Sequence, residues 1–485
     1  MTLSLPFRYV VDRRATVSPA AVFFFLVVPL GVSGILGWNG SLTVPSGAIG
    51  NLSFPSVNGT LQNASYVGTH QANRFYEVVL SDVLTPTKVL ASLGAYLNST
   101  PVGLVRFGGT GDGYDPTTQV NYVAPTTGVG AYVATSQLLW NLTWFKSWCL
   151  STTPHCDWLS YLPGEENDTR AAVHYARWYH QVLGLAPTIW EFGNEPTQWS
   201  HYGKNMSNWS TADALQPTST AYSTMVHNYI HAVAALYPND QFMGLEAACA
   251  CNRLMAASTA QVDGARVIGM AYHSYPSSPT SGTVLSAFYA LLNSSGSIPF
   301  TSARYRTNVL SNCPTCAGLP VELGEYQAGP FSSFSPFIGT YAGAPFYAAS
   351  IIQAMDANLS AITVYNSNNL FNVSTLQPSF EGLLYQRMLN NMTMGDSYSL
   401  TVKGLGVSGV YALLIKNGTR EALLVVNTNL LLGLDLHVGT LFPTGVAGET
   451  WSWNPVAPAP TQVTLTSLRS AYFIAPQGIL LVANY

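Results

Sequence analysis

The chain has 485 residues, of which 48% are apolar, 12% aromatic and only 9% charged, for a net charge of −4. A typical soluble domain carries about 25% charged residues, yet disorder is excluded as the cause of the deficit, because the apolar content suffices for a packed core and no long charge run exists. There is no basic footprint for nucleic acid, so DNA and RNA are excluded as partners, and the length predicts two or three domains or one large barrel with an appendage.

The N-terminal residues 1–38 place Arg8, Arg13 and Arg14 before an uncharged run from Ala15 to Trp38. This reads either as a signal peptide or as an uncleaved anchor that would attach the chain to a membrane. Export agrees with fourteen Asn-x-Ser/Thr sequons, at Asn39, Asn51, Asn58, Asn63, Asn98, Asn141, Asn167, Asn205, Asn208, Asn293, Asn358, Asn372, Asn391 and Asn417. Glycans there would keep a surface with little charge soluble. A secreted or cell-surface location, in an acidic setting where carboxylates cannot be relied on to stay ionised, is expected.

Residues 39–75 are rich in Ser, Gly and Asn and are expected to lend a strand or two to a β domain formed by the C-terminus. A helix is predicted from Thr85 to Leu97. Short apolar strands then precede helical patterns at Val102–Gly109, Thr188–Glu195, Gln241–Ala247, Val267–Tyr275, Leu319–Glu325 and Ala361–Tyr365, which is the signature of βα units in a (β/α)₈ barrel over residues 76–394. Between the first two strands, Thr169–Leu185 carries Ala171, Ala172, Tyr175, Trp178, Tyr179, Val182 and Leu183 on one helical stripe, ending at Gly184. From 395 to 485 the pattern changes to strands and turns, including a hairpin of Val410–Ile415 and Glu421–Val426 across Asn417-Gly418. The expected fold is a TIM barrel with an all-β accessory domain.

Six cysteines, Cys149, Cys156, Cys249, Cys251, Cys313 and Cys316, would be oxidised outside the cell. Proximity suggests Cys149 with Cys156. Cys249-x-Cys251 and Cys313-x-x-Cys316 can pair locally or with each other, and a four-thiolate zinc site built from those two pairs is the alternative.

Only eleven Glu occur, and four of them fall in two strand ends: Glu191 and Glu195, and Glu322 and Glu325. Catalytic groups of (β/α)₈ enzymes sit at the C-terminal ends of barrel strands, and two carboxylates meeting there can cleave a glycosidic bond. In a regular strand Glu322 and Glu325 point oppositely, so the terminal Glu325 is assigned to the site. Glu195, beside Pro196, is preferred over the deeper Glu191, and Glu191 and Glu322 are read as structural.

These segments resemble a known family. Asn194-Glu195-Pro196 at a fourth barrel strand and Pro320-x-x-x-Gly324-Glu325 at a seventh are similar to the clan of retaining (β/α)₈ glycoside hydrolases. Arg106-Phe107-Gly108-Gly109-Thr110, Trp190–Pro196 and Leu323-Gly324-Glu325 look like the heparanase and β-glucuronidase family within it, glycoside hydrolase family seventy-nine. The resemblance covers residues 80–390 and implies a β-sandwich for the C-terminal strands, completed from the N-terminus. It also implies that Glu195 is the acid/base, Glu325 the nucleophile, Asn194 a ligand of the neighbouring sugar hydroxyl, Tyr275 a hydrogen-bond donor to the nucleophile and Thr110 a substrate contact. His273 would line the site, and Trp199 and Tyr202 could stack on a sugar face. The family often has small polar residues after its nucleophile, where this chain has Tyr326-Gln327, and basic clusters for a sulfated polymer are absent. A neutral or singly acidic oligo- or polysaccharide is therefore the expected partner, with neither metal nor cofactor. Two alternatives stay open: a glycan-binding protein without catalysis, and a β-glycosidase of another family of the clan.

Overall fold

The computed structural model describes residues 56–70, 77–79, 95–96, 104–107, 114–115, 120–121, 157–184, 189–199, 206, 208–213, 217–247, 266–276, 285–328, 337, 340–364, 371–372, 375, 377–391, 395–403, 409–438, 441–442, 448–452, 461–465 and 471–483. The N-terminal apolar segment, Cys149, Cys156, Cys249, Cys251, Thr110, Tyr202 and nearly all of the helix expected at Thr85–Leu97 lie outside them.

In chain order, strand β1 (Ser56–His70) belongs to the C-terminal sheet, and β2 (Glu77–Val79) and β3 (Leu104–Phe107) open the barrel. A short antiparallel pair, β4 (Tyr114–Asp115) and β5 (Val120–Asn121), follows. The barrel continues with β6 (Asp157–Leu162), β7 (Ile189–Phe192), β8 (Gln241–Ala247), β9 (Val267–Ser274), β10 (Val321–Tyr326) and β11 (Ala361–Val364), and β11 pairs in parallel with β2 to close it. The expected barrel is thus present, with β7 fourth, β9 sixth and β10 seventh. A second short pair, β12 (Phe371–Asn372) and β13 (Gln377–Pro378), follows the last barrel strand.

Alternation along the strands sorts the core. Leu159, Ile189, Met243 and Ala271, one from each of four consecutive barrel strands, form a small apolar cluster that plugs the barrel interior. Their neighbours Ser160, Trp190, Phe242 and Tyr272 face the outer helices: Trp190 meets the rings of Tyr175 and Tyr179, and Tyr272 stacks on Tyr305. Helix α1 (Thr169–Arg177) begins because the Asp168 carboxylate accepts the Arg170 N–H at 2.9 Å, an N-cap. The expected helix continues past Arg177 not as α but as a π segment, Trp178–Leu183, and stops at Gly184 with φ 63°. The wider turn seats Trp178 and Tyr179 side by side in the core.

Helices α2 (Ser219–Ala234), α3 (Leu285–Ala290) and α4 (Ile298–Asn312) cover the barrel. After α4, a turn at Pro314–Gly318 holds the Cys313–Cys316 disulfide, a local pairing that leaves neither sulfur as a thiolate for a shared zinc site. Helix α5 (Gly343–Asp356) is buried along its whole length except Asp356, which matches a sequence that is apolar on every face. Helix α6 (Phe380–Asn391) lies against it, and a Cβ at Gly343 would come within 1.8 Å of Glu381 Oε1, so only glycine permits that approach.

The other side of α5 packs on the C-terminal sheet of β14 (Gly395–Lys403), β15 (Val410–Asn417), β16 (Arg420–Asn427), β17 (Gly433–His437), β18 (Gly448–Ser452), β19 (Thr461–Leu465), β20 (Ala471–Ile474) and β21 (Gly478–Ala483). The order is β19-β18-β21-β16-β15-β14-β1-β17-β20, so the N-terminal β1 sits between β14 and β17. Leu413, Ile415, Leu424, Val426, Ile479 and Leu481 join the barrel-side core, while Ala412, Leu414, Leu423, Val425, Leu480 and Val482 face a second core inside the β domain. Strands buried on both faces read as continuous apolar runs, which is what Ala-Leu-Leu-Ile and Ala-Leu-Leu-Val-Val are. The hairpin turns through Gly418 at φ 62°. No helix among the described residues is long and apolar enough to cross a membrane.

Candidate active site

Above the apolar plug, the C-terminal ends of four barrel strands deliver a charged layer. Arg106 from β3, Glu191 from β7, His273 from β9 and Glu325 from β10 are each at most 3% exposed. Arg106 organises it. Its Nε and Nη2 clamp both oxygens of Glu191 at 2.9–3.1 Å, Nη2 also reaches Asn194 Oδ1 at 3.0 Å, and Nη1 donates to Glu325 Oε1 at 2.7 Å. A planar guanidinium offers five donors in a fixed fork, so it grips Glu191 with two nitrogens and still reaches Asn194 and Glu325, where a lysine has three donors on a single atom. Glu191 is therefore the buttress of the arginine, in keeping with its structural reading.

The register of β9 and β10 sets the next contact. His273 stands opposite Glu325, while Glu322 stands opposite Ala271, because a bulge at Gly324 absorbs one residue. The expectation that Glu322 and Glu325 point oppositely assumed a regular strand; the bulge cancels the odd spacing and sets both on one face of the ladder, one layer apart. His273 Nδ1 lies 2.6 Å from Glu195 Oε1 and 3.4 Å from Glu325 Oε2. The Tyr275 hydroxyl donates to the same Glu325 Oε2 in a short hydrogen bond. Glu195, His273 and Glu325 each offer one atom within 4.8 Å of the other two.

Glu195 reaches this cluster through unusual backbone. Gly193 has φ 75° and Glu195 φ 49°, a left-handed conformation that a side chain rarely adopts and that costs of order 1 kcal/mol or more. Trp199 holds it in place. The indole N–H donates to the Asn194 carbonyl at 2.8 Å, and the ring lies so close to Gly193 that a Cβ there would come within 2.4 Å of it. The expectation that Trp199 stacks on a sugar is overturned: it is fully buried, with Trp209 and Tyr222 around it, and offers no face to a ligand. Tyr326, where the family resemblance breaks, is buried too. Its hydroxyl pairs with Ser350 on α5 at 2.8 Å, and burial pushes its phenol pKa up, so it is a packing residue turned away from Glu325.

In the sequence Arg106 shows only as the first residue of the Arg106–Thr110 motif, with no role of its own. The signal was there in its rarity: a cation inside an apolar strand of a chain with 19 Lys and Arg needs buried carboxylates for company. Among the sequons with described surroundings, Asn208, Asn293, Asn358 and Asn417 are exposed and Asn167 half-buried.

No family model matches the sequence, and no curated protein does. Solved structures match the fold. A family 51 α-L-arabinofuranosidase from Bifidobacterium longum aligns over 89% of this chain and all of its own, with TM-score 0.62 and 12% identity. A Paenibacillus polymyxa xyloglucanase of glycoside hydrolase family 44, solved with xyloglucan, aligns over 88% of this chain and 99% of its own, with TM-score 0.61 and 11% identity. A family 30 subfamily 8 xylanase from Clostridium acetobutylicum gives TM-score 0.53 at 14% identity, with 88% and 99% covered. The chain has the fold of the (β/α)₈ glycoside hydrolases. The alignments run over almost the full length of each of those structures. The structures named belong to families 51, 44 and 30 and do not single out family seventy-nine.

Proposed function

We propose that the chain is a retaining β-glycosidase that works by double displacement, with Glu325 as nucleophile and Glu195 as acid/base. The observation that carries the reading is the approach of Glu195 and Glu325, from the ends of two different strands, to within 4.8 Å of each other. Retaining enzymes hold their carboxyl groups about 5–5.5 Å apart, whereas inverting ones leave 6.5–9.5 Å for a water. Arg106 and Tyr275 hold the two oxygens of Glu325, which fixes its attack on the anomeric carbon. Glu195, sharing a proton with His273 Nδ1, donates to the leaving oxygen and then takes a proton from the water that releases the sugar. Asn194, its carboxamide oxygen held by Arg106, turns its N–H₂ toward the sugar hydroxyl beside the reacting carbon.

The substrate would be a neutral or singly acidic β-glycan, β-glucuronide-like or of the kind the xylanase and xyloglucanase act on, met outside the cell in an acidic setting. Exposed sequons and the N-terminal apolar run support export. A screen of chromogenic β-glucuronide, β-glucoside, β-xyloside and β-galactoside from pH 3 to 7 tests it. Turnover with retained configuration, lost by at least about a hundredfold in both Glu195→Gln and Glu325→Gln, is expected. Activity that survived in both variants would end the proposal, and turnover of none would favour a glycan-binding role.

A further inference from the structure

We propose that the same three side chains, Glu195, His273 and Glu325, form a binding site for a zinc-type divalent cation that excludes the sugar. The inhibitory consequence rests on the hydrolase reading; the binding does not. Imidazole with two carboxylates is a donor set that zinc accepts, at about 2.0–2.2 Å from each atom. Tetrahedral coordination at that length sets donors roughly 3.3 Å apart. The His273 Nδ1 to Glu325 Oε2 edge already measures 3.4 Å, the 2.6 Å edge from Nδ1 to Glu195 Oε1 has to open, and the Glu195–Glu325 edge lies within 4.8 Å.

Charge favours the cation as well. Glu191, Glu195 and Glu325 are buried around one guanidinium, and Arg106 is committed to Glu191 on one side and to Glu325 Oε1 on the other. Ionised, the carboxylates therefore outnumber the fixed cation, and Glu325 Oε2 faces away from it. Binding exchanges the proton shared by His273 and Glu195, released to solvent, for the metal ion. Glu195 can then neither protonate the leaving oxygen nor take a proton from water, and Glu325 cannot attack, so inhibition is competitive with the glycoside. One group opposes the cation directly: Tyr275 donates to the oxygen that the metal would take.

That opposition gives a test with opposite signs. Zinc sulfate is titrated calorimetrically into the full chain carrying His227→Ala, which removes the imidazole pair His227 and His231 on α2, whose rings are 4.2 Å apart and would bind zinc themselves. One zinc per chain is expected. Both His273→Gln and Glu195→Gln, with their folding checked by thermal melting, should weaken binding at least about tenfold, while Tyr275→Phe should tighten zinc and slow hydrolysis. Absence of saturable binding, or unchanged affinity in a folded His273→Gln protein, would overturn the site. Zinc bound without any glycoside turnover would leave the site standing and remove the hydrolase reading; turnover indifferent to zinc would do the reverse.

Discussion

The mouth of the barrel and the middle of the C-terminal sheet are equally buried, yet they are built from opposite materials. At the mouth, Arg106, Glu191, Glu195, His273 and Glu325 meet in one hydrogen-bonded layer. In the sheet, β15, β16 and β21 bury Leu, Ile, Val and Ala on both faces. Apolar burial contributes roughly 25 cal/mol per Å² without directional demands, whereas a buried ion network returns little net stability and demands geometry. In a chain this poor in charge, the concentration of ions at one end of one barrel marks where stability was not the criterion.

The contrast can be broken from either side. Arg106→Met should have the largest effect, since it strands Glu191 and Glu325 without their partner: about 3–5 kcal/mol of stability together with loss of turnover, read by chemical denaturation and by initial rates. Leu424→Ala in the sheet, fully buried on the barrel side, should cost about 2–4 kcal/mol and leave kcat/KM of the folded protein unchanged. Trp199→Phe keeps an aromatic side chain but removes the N–H to the Asn194 carbonyl, costing about 1–3 kcal/mol for the unsatisfied group besides the lost indole packing on Gly193. It should lower kcat more than it raises KM, because Glu195 loses the clamp on its left-handed backbone while the substrate's other contacts persist.

The smallest effect concerns acid. Hydrogen bonds from the Arg170 guanidinium hold the Asp168 carboxyl below its ordinary value of 3.8. A depressed folded pKa contributes stability above the unfolded value and loses it as pH falls through the folded one. Asp168→Asn should therefore lower the melting temperature slightly at neutral pH, with the difference shrinking as pH falls below 3.8 and through the lower folded value. Arg170 is 92% exposed at its side chain, so solvent screening keeps the difference to a fraction of a unit pair's worth.

Much of this was legible in the sequence where one physical signal dominated. The Gln241–Ala247 strand and the Asn417-Gly418 hairpin follow from apolar runs and turn chemistry, and Glu195 and Glu325 stood out because Glu is scarce. Strand β6 was not legible: Asp157-Trp-Leu-Ser-Tyr-Leu162 mixes polar and apolar residues because Ser160 is buried against the Tyr179 hydroxyl at 2.6 Å, a contact no local pattern announces. The bulge at Gly324 and the fate of Trp199 are likewise decided by neighbours far along the chain. A tryptophan after Asn-Glu-Pro looks the same in sequence whether it faces sugar or glycine.

The place of β1 has a consequence for how the chain comes into being. Its partners β14 and β17 follow the entire barrel, so on a ribosome β1 must wait for about 325 residues, from His70 to Gly395, before its ladder can form. At synthesis rates of 5–20 residues per second that is roughly 16–65 s with an unpaired strand on display. The barrel can gather itself while the β domain cannot begin, and any truncation that removes β1 leaves β14 and β17 without the strand that joins them. The Asn58 and Asn63 sequons lie on that waiting strand, where a glycan added early would reach it before its neighbours do.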